Sequence, residues 1–314
     1  MTNIVGCGNA LINVTVEQSN KRLDILLAEE LPAYSRSFFK RLIVEGCITV
    51  NSVRAFKSGY TLRPGDRVMV SLPVFKPTEK VKKVQDLGVE IIHEHPDFLI
   101  IAKPAGLVVH APHVEYEGVT LVDWLLCYFN DIATVGSLDR PGIVHRLDMQ
   151  TSGLMIVPRN NQSHAIFTDL FKNRMISKTY LAIVTGEPDK KGIIDYHIVR
   201  HPTHRNKMTH VNTRELTKNW ARRARTAQTH YQVQDYFAEY ALVEVKPLTG
   251  RTHQIRVHFT AIGHALIGDE LYGHKTELIA RQALHAYKLE FQYKNKFYAF
   301  IADLPVDIKN LINK

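Results

Sequence analysis

A lysine-rich segment with few apolar residues, 74–87, divides the chain into a short and a long part. It contains Pro77 and four lysines, a composition typical of a linker. A chain of 314 residues is long enough for two domains. We therefore expect an N-terminal arm at 1–19, a small domain at 20–73, the linker at 74–87 and a larger domain at 88–314. The arm has no clear period and suits a frayed or edge strand.

The small domain contains two helical patterns followed by two short strands. Apolar residues at helical spacing form the buried face of each helix. Ser35 is a suitable N-cap for the second helix, and Gly46 is a suitable residue to end it. Strands are expected at 48–51 and 67–72, with a Gly-Asp turn before the second.

Positive charge is concentrated in the small domain, where nine basic residues face five acidic ones, a difference of 9 − 5 = +4. Arg36, Lys40 and Arg41 fall on the polar side of the second helix. Such a face favours contact with RNA or DNA, and the alternative is a solvated helix face without a partner.

A loop at 142–153 contains His145, Arg146 and Asp148 between two apolar segments, 143–144 and 154–157, which we expect to be strands. Strands on either side fix such a loop and present its polar groups to solvent. For the loop alone, a turn-capping role is the more frequent one for an aspartate like Asp148. We expect a structural role for His145.

Two later segments contain further candidate residues. A strand is expected at 178–185 and contains Tyr180; a helix follows Arg251 and contains Arg256. By themselves these patterns are typical of a core tyrosine and a surface arginine. Other strands are expected at 89–92, 98–102, 107–110, 241–246, 284–291 and 297–302, and other helices from Thr120 and over 163–172.

Residues 197–230 contain eight basic residues and only one acidic residue, Glu215, a difference of 8 − 1 = +7. Apolar periodicity is poor, so a loop or hairpin is expected. A basic loop without a partner would suffer self-repulsion, so we interpret the segment, with Arg205 and Lys207, as a clamp on a phosphate backbone.

Composition limits the partners and cofactors. The net charge of +9 favours a polyanion, and no apolar run approaches the ~18 residues that span a bilayer. Because no Lys or Arg precedes Lys21, a secretory signal or transit peptide is not expected, and the cytoplasm is the expected compartment. Three scattered cysteines and dispersed histidines predict no metal site, and no glycine-rich cofactor loop is complete.

The small domain resembles the S4-type RNA-binding module over its whole length. The resemblance rests on residues 22–24, 35–37, 42–46, 50–51 and 65–66. It implies that structured RNA binds the basic face of the second helix, which here carries Arg36, Lys40 and Arg41.

Over nearly all of 88–303 the chain resembles the RluA family of pseudouridine synthases. The matching stretches keep the family order: 145–148 with 151–153, 178–180 and 250–258. The resemblance implies an α+β protein whose catalytic domain has a mixed, mainly antiparallel sheet flanked by helices. It implies a catalytic aspartate at Asp148, a base-stacking tyrosine at Tyr180, a partner arginine at Arg256 and a base-displacing arginine at Arg146.

The stretch 200–208 resembles the RluD-like branch, which implies large-subunit ribosomal RNA, free or in an assembly intermediate, as the partner. Arg205, Lys207 and Arg251 are then further RNA contacts. We expect a monomer.

Isomerising uridine neither adds nor removes atoms, so no cofactor is expected. One carboxylate in a site that excludes water fits this reaction better than hydrolysis, which uses two. A guanidinium beside that carboxylate favours its ionised form. Two alternatives remain: a non-catalytic RNA-binding ribosome-assembly factor, and an RNA methyltransferase, which the missing cofactor loop disfavours.

Overall fold

A computed structural model describes residues 2–4, 9–13, 15, 17–32, 34, 36–72, 84, 86–113, 115–137 and 139–313. The predicted cap Ser35 and most of the predicted linker at 74–87 lie outside these residues. None of the helices within them is long and apolar enough to cross a bilayer.

The N-terminal part is a five-stranded antiparallel sheet covered by two helices. Its helices are α1 (Leu23–Glu30) and α2 (Arg36–Glu45), and its strands are β1 (Thr2–Ile4), β2 (Asn9–Asn13), β3 (Ile48–Val50), β4 (Val53–Arg54) and β5 (Arg67–Ser71). The order is β1-β2-β5-β3-β4, so the arm supplies an edge strand, as one of its two interpretations predicted. Both helices and both predicted strands are present.

The two helices bury the apolar faces that their spacing predicted. Phe38, Phe39 and Leu42 of α2 are at most 1% exposed and pack in one cluster with the leucines of α1. Gly46 follows α2 with a φ of +80°, a left-handed conformation that glycine adopts without steric cost, so the predicted cap is confirmed.

The larger part is built on a nine-stranded sheet. Its strands are β6 (Glu90–Glu94), β7 (Phe98–Lys103), β10 (Ser152–Pro158), β11 (Ser177–Thr185), β12 (Lys191–Ile194), β15 (Thr229–Tyr236), β16 (Tyr240–Pro247), β17 (Leu284–Tyr293) and β18 (Lys296–Ile301). The order is β12-β15-β16-β11-β17-β10-β7-β6, with β18 on β17. Among the described strands of this sheet only β10 and β17 pair in parallel, which makes it mixed and mainly antiparallel, as expected.

Four helices and two hairpins accompany this sheet. The helices are α3 (Leu121–Tyr128), α4 (Asn161–Lys172), α5 (Gln254–Ala261) and α6 (Val306–Ile312). The short strands β8 (Gly136–Ser137) and β9 (Arg140–Pro141) pair, as do β13 (His197–Arg200) and β14 (Met208–Val211). The basic segment is therefore a hairpin followed by short turns.

The parallel pair brings the loop at 142–151 to the middle of the sheet. A Cβ on Gly153 would lie 2.2 Å from the Ala286 carbonyl oxygen, so only glycine permits this close approach of β10 to β17. The loop thus enters the sheet beside its central strands, where its side chains can meet those of other elements.

Two predicted strands were wrong. Residues 107–110 form an isolated bridge and a bend instead of a strand, because the Val108 and Val109 carbonyls accept hydrogen bonds from the first residues of α3. Residues 143–144 also form a turn, since the Ile143 N–H bonds the Arg140 carbonyl at 3.2 Å. The predicted helices at Thr120 and 163–172 are present, the second beginning two residues earlier.

Candidate active site

The loop that carries Asp148 is fastened to the sheet at the residues that follow it. The Met149 carbonyl accepts a hydrogen bond from Lys103 Nζ at 3.0 Å, and the Gln150 carbonyl accepts one from Arg281 Nη1 at 3.1 Å. Both donors lie on buried side chains. These contacts fix the backbone beside Asp148 before any substrate binds.

The turn after Asp148 is closed by the backbone. The Thr151 N–H bonds the Asp148 carbonyl oxygen at 3.0 Å, and the Ser152 hydroxyl lies 2.9 Å from His285 Nδ1. The carboxylate of Asp148 is not used for this; it accepts a hydrogen bond from Arg256 Nη1 at 3.1 Å. The Asp148 side chain therefore does not cap the turn, and its carboxylate is available to a substrate.

Arg256 is held between two carboxylates. Its Nε and Nη2 donate to both oxygens of Asp269 at 2.7 and 2.8 Å, while Nη1 serves Asp148. Burial lowers the pKa of Arg256, but the hydrogen bonds and charges of Asp269 and Asp148 outweigh that effect and raise it. The sequence reasoning gave Asp269 no role at the site. An acid that directly follows Gly268, after the helix, was the available sequence signal.

Asp148 and Tyr180 line the same cleft, whose volume is about 900 Å³, in the range of roughly 300–1,000 Å³ that holds a small-molecule group such as a nucleotide. The register of β11 shifts between Thr179 and Tyr180, and such a bulge changes the direction of the next side chain. Burial and the charge of Asp148 raise the pKa of Tyr180, so its hydroxyl stays protonated.

Lys103 has a position that the sequence reasoning missed. Its ammonium is 1% exposed and donates to the carbonyls of Pro104, Leu107 and Met149 at 2.7, 2.9 and 3.0 Å. Burial lowers its pKa to about 7, and the nearby charge of Asp148 partly offsets that effect. A lysine that ends an apolar strand was the available signal, because burying its charge requires such partners.

His145 lines the cleft, but the backbone uses its Nε2. Its Nε2 lies 2.9 Å from the Ile156 N–H, which must donate to it, and its ring packs on Phe171 at 4.5 Å. Burial lowers the pKa of His145 to about 3, so the ring is neutral. This neutral, acceptor-only contact supports the structural role that we expected.

The three basic residues of α2 are exposed but not free of partners. Arg36 Nε donates to the buried carboxylate of Asp24 at 2.8 Å, and Lys40 Nζ lies 4.0 Å from it. Arg41 pairs with Asp139, which follows β8 in the larger part. The basic face therefore lies beside the elements that border the cleft.

Other basic residues surround the cleft or lie outside it. Besides Arg256, six of them line it: Arg140, Arg146, Lys172, Arg174, Lys178 and Arg251. Arg251 Nε is held by the Thr226 carbonyl at 3.0 Å, and Arg146 Nη1 lies 3.4 Å from His110 Nε2. Arg205 and Lys207 lie at the tip of the β13–β14 hairpin and not in the cleft lining.

Comparison with known proteins adds independent findings. The family model for RNA pseudouridylate synthase matches residues 97–261, and the S4 domain model matches residues 21–68. The chain belongs to the RNA pseudouridylate synthase family. This RNA pseudouridylate synthase is therefore an isomerase, with an S4 domain ahead of its catalytic part, and the two non-synthase alternatives lose their support.

Several proteins resemble the chain over most of their length. An RNA pseudouridine synthase of Aquifex aeolicus is 36% identical, covering 96% of each chain. Ribosomal large subunit pseudouridine synthase D of Zymomonas mobilis is 35% identical, covering 96% of this chain and 95% of the relative. The human RNA Pseudouridylate Synthase Domain Containing 1 structure has 25% identity and a TM-score of 0.57, covering 74% of this chain and 87% of that one.

Within the part of the synthase that the structure describes, no three His, Cys, Asp or Glu side chains form a group that could hold a metal ion.

Proposed function

We propose that the protein converts uridines of large-subunit ribosomal RNA to pseudouridine, with Asp148 as the catalytic carboxylate. The observation that carries the proposal is the 3.1 Å contact between Asp148 and Arg256 on the wall of a cleft that Tyr180 also lines. The names of the Zymomonas mobilis and Pseudomonas aeruginosa relatives, ribosomal large subunit pseudouridine synthase D, support the choice of RNA.

The reaction breaks the bond between N1 and C1′, turns the uracil within the cleft, and joins C5 to C1′. The hydrogen lost from C5 is balanced by the one gained at N1, so no co-reactant is needed. The Asp148 carboxylate acts either as a nucleophile on the sugar or as a base, and both routes need its ionised form. Arg256 lies where its charge favours that form.

The target base must leave the RNA stack before it can reach Asp148. Extrusion costs a few kcal/mol, and stacking on an aromatic ring returns about 1–3 kcal/mol. In this proposal Tyr180 supplies the ring, and the exposed Arg146 fills the gap that the base leaves. Arg36, Lys40, Arg41, Arg205, Lys207 and Arg251 hold the phosphate backbone.

The test of the catalytic role is Asp148→Asn. The change keeps the size of the side chain and removes its charge, so we expect RNA affinity to change less than twofold while pseudouridine formation is abolished. Tritium release from 5-tritiated uridine in ribosomal RNA, without S-adenosylmethionine, measures product. The control is Asp303→Asn, an exposed carboxylate outside the cleft. Measurable pseudouridine formation by the Asp148 variant would contradict the assignment.

The choice of RNA has a separate test. Pseudouridines are mapped in large-subunit ribosomal RNA from cells with and without the gene. We expect at least one uridine to lose its modification in the deletion strain and to regain it when the wild-type gene returns. An unchanged map would overturn the ribosomal substrate while leaving the isomerase activity in place.

A further inference from the structure

The Tyr272 hydroxyl connects the basic hairpin with the neighbourhood of the catalytic carboxylate. The Met208 N–H of β14 lies 2.7 Å from Tyr272 Oη, which in turn lies 2.8 Å from His253 Nδ1. On its other side, His253 Nε2 lies 3.9 Å from Asp148 Oδ2. A chain of polar atoms therefore runs from the hairpin backbone to Asp148.

The chemistry of these groups fixes which atom donates at each step. A backbone N–H can only donate, so Tyr272 Oη accepts from Met208. Among the described residues the hydroxyl hydrogen has one acceptor, His253 Nδ1 at 2.8 Å. The tautomer that satisfies this hydrogen is the neutral ring with its proton on Nε2. That proton is on the nitrogen nearest Asp148, and the tautomer follows from the network.

The backbone of His253 has a strained conformation. It has a φ of +55°, a left-handed conformation that a side chain such as histidine rarely adopts, and it directly precedes α5. Burial lowers the pKa of His253, which keeps the ring neutral beside Arg256. A strained residue persists only where its surroundings hold it, and here Tyr272 supplies the hydrogen bond.

Tyr272 also contacts the catalytic pair through its ring. The Arg256 guanidinium carbon lies 4.9 Å from the centre of the Tyr272 ring, and the Tyr272 N–H donates to Asp269 Oδ1 at 3.1 Å. The ring therefore packs on the arginine while the hydroxyl serves the histidine. These two roles can be separated by removing the hydroxyl alone.

Both contacts of Asp148 are made by one oxygen. Arg256 Nη1 and His253 Nε2 approach Oδ2, whereas no hydrogen bond to Oδ1 comes from the residues that the structure describes. A second contact to Oδ2, from His253 Nε2, restricts rotation of the carboxylate and leaves Oδ1 available for the reaction. The gap of 3.9 Å exceeds hydrogen-bond length by about 1 Å.

We propose that Tyr272 and His253 are positioning residues for pseudouridine formation: Tyr272 holds the tautomer in which His253 Nε2–H closes on Asp148 Oδ2 when RNA is bound. The inference rests on the proposed role of Asp148. Because the hairpin backbone bonds Tyr272, the hairpin contributes to the chemical step as well as to RNA binding. In this proposal both residues act through Asp148 and not on the uridine itself.

The test is Tyr272→Phe, which keeps the ring on Arg256. With enzyme in excess over ribosomal RNA and at saturation, the single-turnover rate reports the step after binding. We expect that rate to fall about tenfold, the loss of one oriented hydrogen bond, with RNA affinity unchanged. The thermal midpoint should fall slightly, because the Met208 N–H loses its acceptor. The control is Tyr236→Phe, which removes a hydroxyl bonded to the Pro188 carbonyl outside the cleft.

A second variant shows whether Tyr272 acts through His253. His253→Gln puts an amide NH₂ where Nε2 lies, a donor that does not depend on a tautomer. We expect Tyr272→Phe to have no further effect on the rate in the His253→Gln background. A wild-type rate for Tyr272→Phe, or an equal rate loss in both backgrounds, would overturn the inference. If Asp148→Asn still makes product, the proposed function fails instead, so the two failures are distinguishable.

Discussion

Arg256 serves two carboxylates, and only one of them lines the cleft. Asp269 is 1% exposed and bonds the guanidinium through both oxygens, so it fixes the plane of the group that meets Asp148. A bidentate contact restricts an arginine more than a single bond does. The geometry at Asp148 thus depends on a residue that never reaches the substrate.

Asp269→Asn should therefore reduce both stability and turnover. The change leaves a buried guanidinium with half of its counter-charge, and breaking a buried pair in this way costs about 3–5 kcal/mol. We expect the free energy of unfolding, from urea titration, to fall by several kcal/mol and the single-turnover rate to fall at least tenfold.

The matched control for this variant is Asp97→Asn. Asp97 is bonded by Lys294, Tyr293 and Asn160 and does not line the cleft. We expect it to lose stability without losing rate. A wild-type rate for folded Asp269→Asn would show that Arg256 needs no such support.

The sequence predicted the site residues that lie in recognisable motifs. It missed the residues whose role depends on contacts with parts of the chain that are distant in sequence. The motifs pointed to Asp148, Tyr180 and Arg256, and the structure places all three at one cleft. Lys103 and Tyr272 matter through contacts 46 and 64 residues away, which no local pattern reveals. His145 was the intermediate case, since a structural role was expected for it without the Ile156 contact that now supports that role.

Among the elements, the β13–β14 hairpin has the clearest separable role. Its tip holds Arg205 and Lys207 away from the cleft lining, while its backbone bonds Tyr272. The charges at the tip of the hairpin and the hydrogen bond at its base can therefore be changed independently. Composition predicted the charge, whereas the contact at the base depends on how the hairpin packs against α5.

Removing the two tip charges should weaken RNA binding and its dependence on salt. Each phosphate contact contributes about 0.7–0.9 to the slope of log affinity against log salt. For the double variant Arg205→Ala, Lys207→Ala we expect the slope to fall by about 1.5, with the single-turnover rate at saturation unchanged.

The control for the tip is Lys190→Ala, Lys191→Ala, which removes the same charge at the outer edge strand β12. Its slope should match that of the wild type, as measured by filter binding across a salt series. An equal loss of slope in both variants would mean that net charge, and not the hairpin, governs binding.

Apolar periodicity predicted most elements of the larger domain because each buries one face. It failed at 107–110, where apolar residues bond the first turn of α3 instead of a strand. Sheet order could not be predicted, since the parallel β10–β17 pair joins segments about 130 residues apart, and only the close approach at Gly153 permits it. The local sequence pattern thus specified the helices and strands, whereas long-range packing specified the order of the strands in the sheet.

For the molecule as a whole, the two domains have separate cores. The cluster beneath α1 and α2 draws on residues from Ala10 to Leu72, whereas the clusters of the larger part begin at Val84. The ion pair between Arg41 and Asp139 links them through exposed side chains, and such pairs contribute at most about 1 kcal/mol. The catalytic part should therefore fold without the S4 domain.

A chain lacking residues 1–75 tests this division. We expect it to unfold cooperatively and to keep Asp148 and Arg256 in place, so that at saturating concentrations it still makes pseudouridine. Its RNA affinity should fall, and the salt slope should decrease by about 2, because the basic face of α2 is gone.

The full-length double variant Lys40→Ala, Arg41→Ala should reproduce most of that decrease in slope. An unchanged slope in the truncated chain would place the RNA contacts entirely in the catalytic domain; failure to unfold cooperatively would mean that the two cores depend on each other.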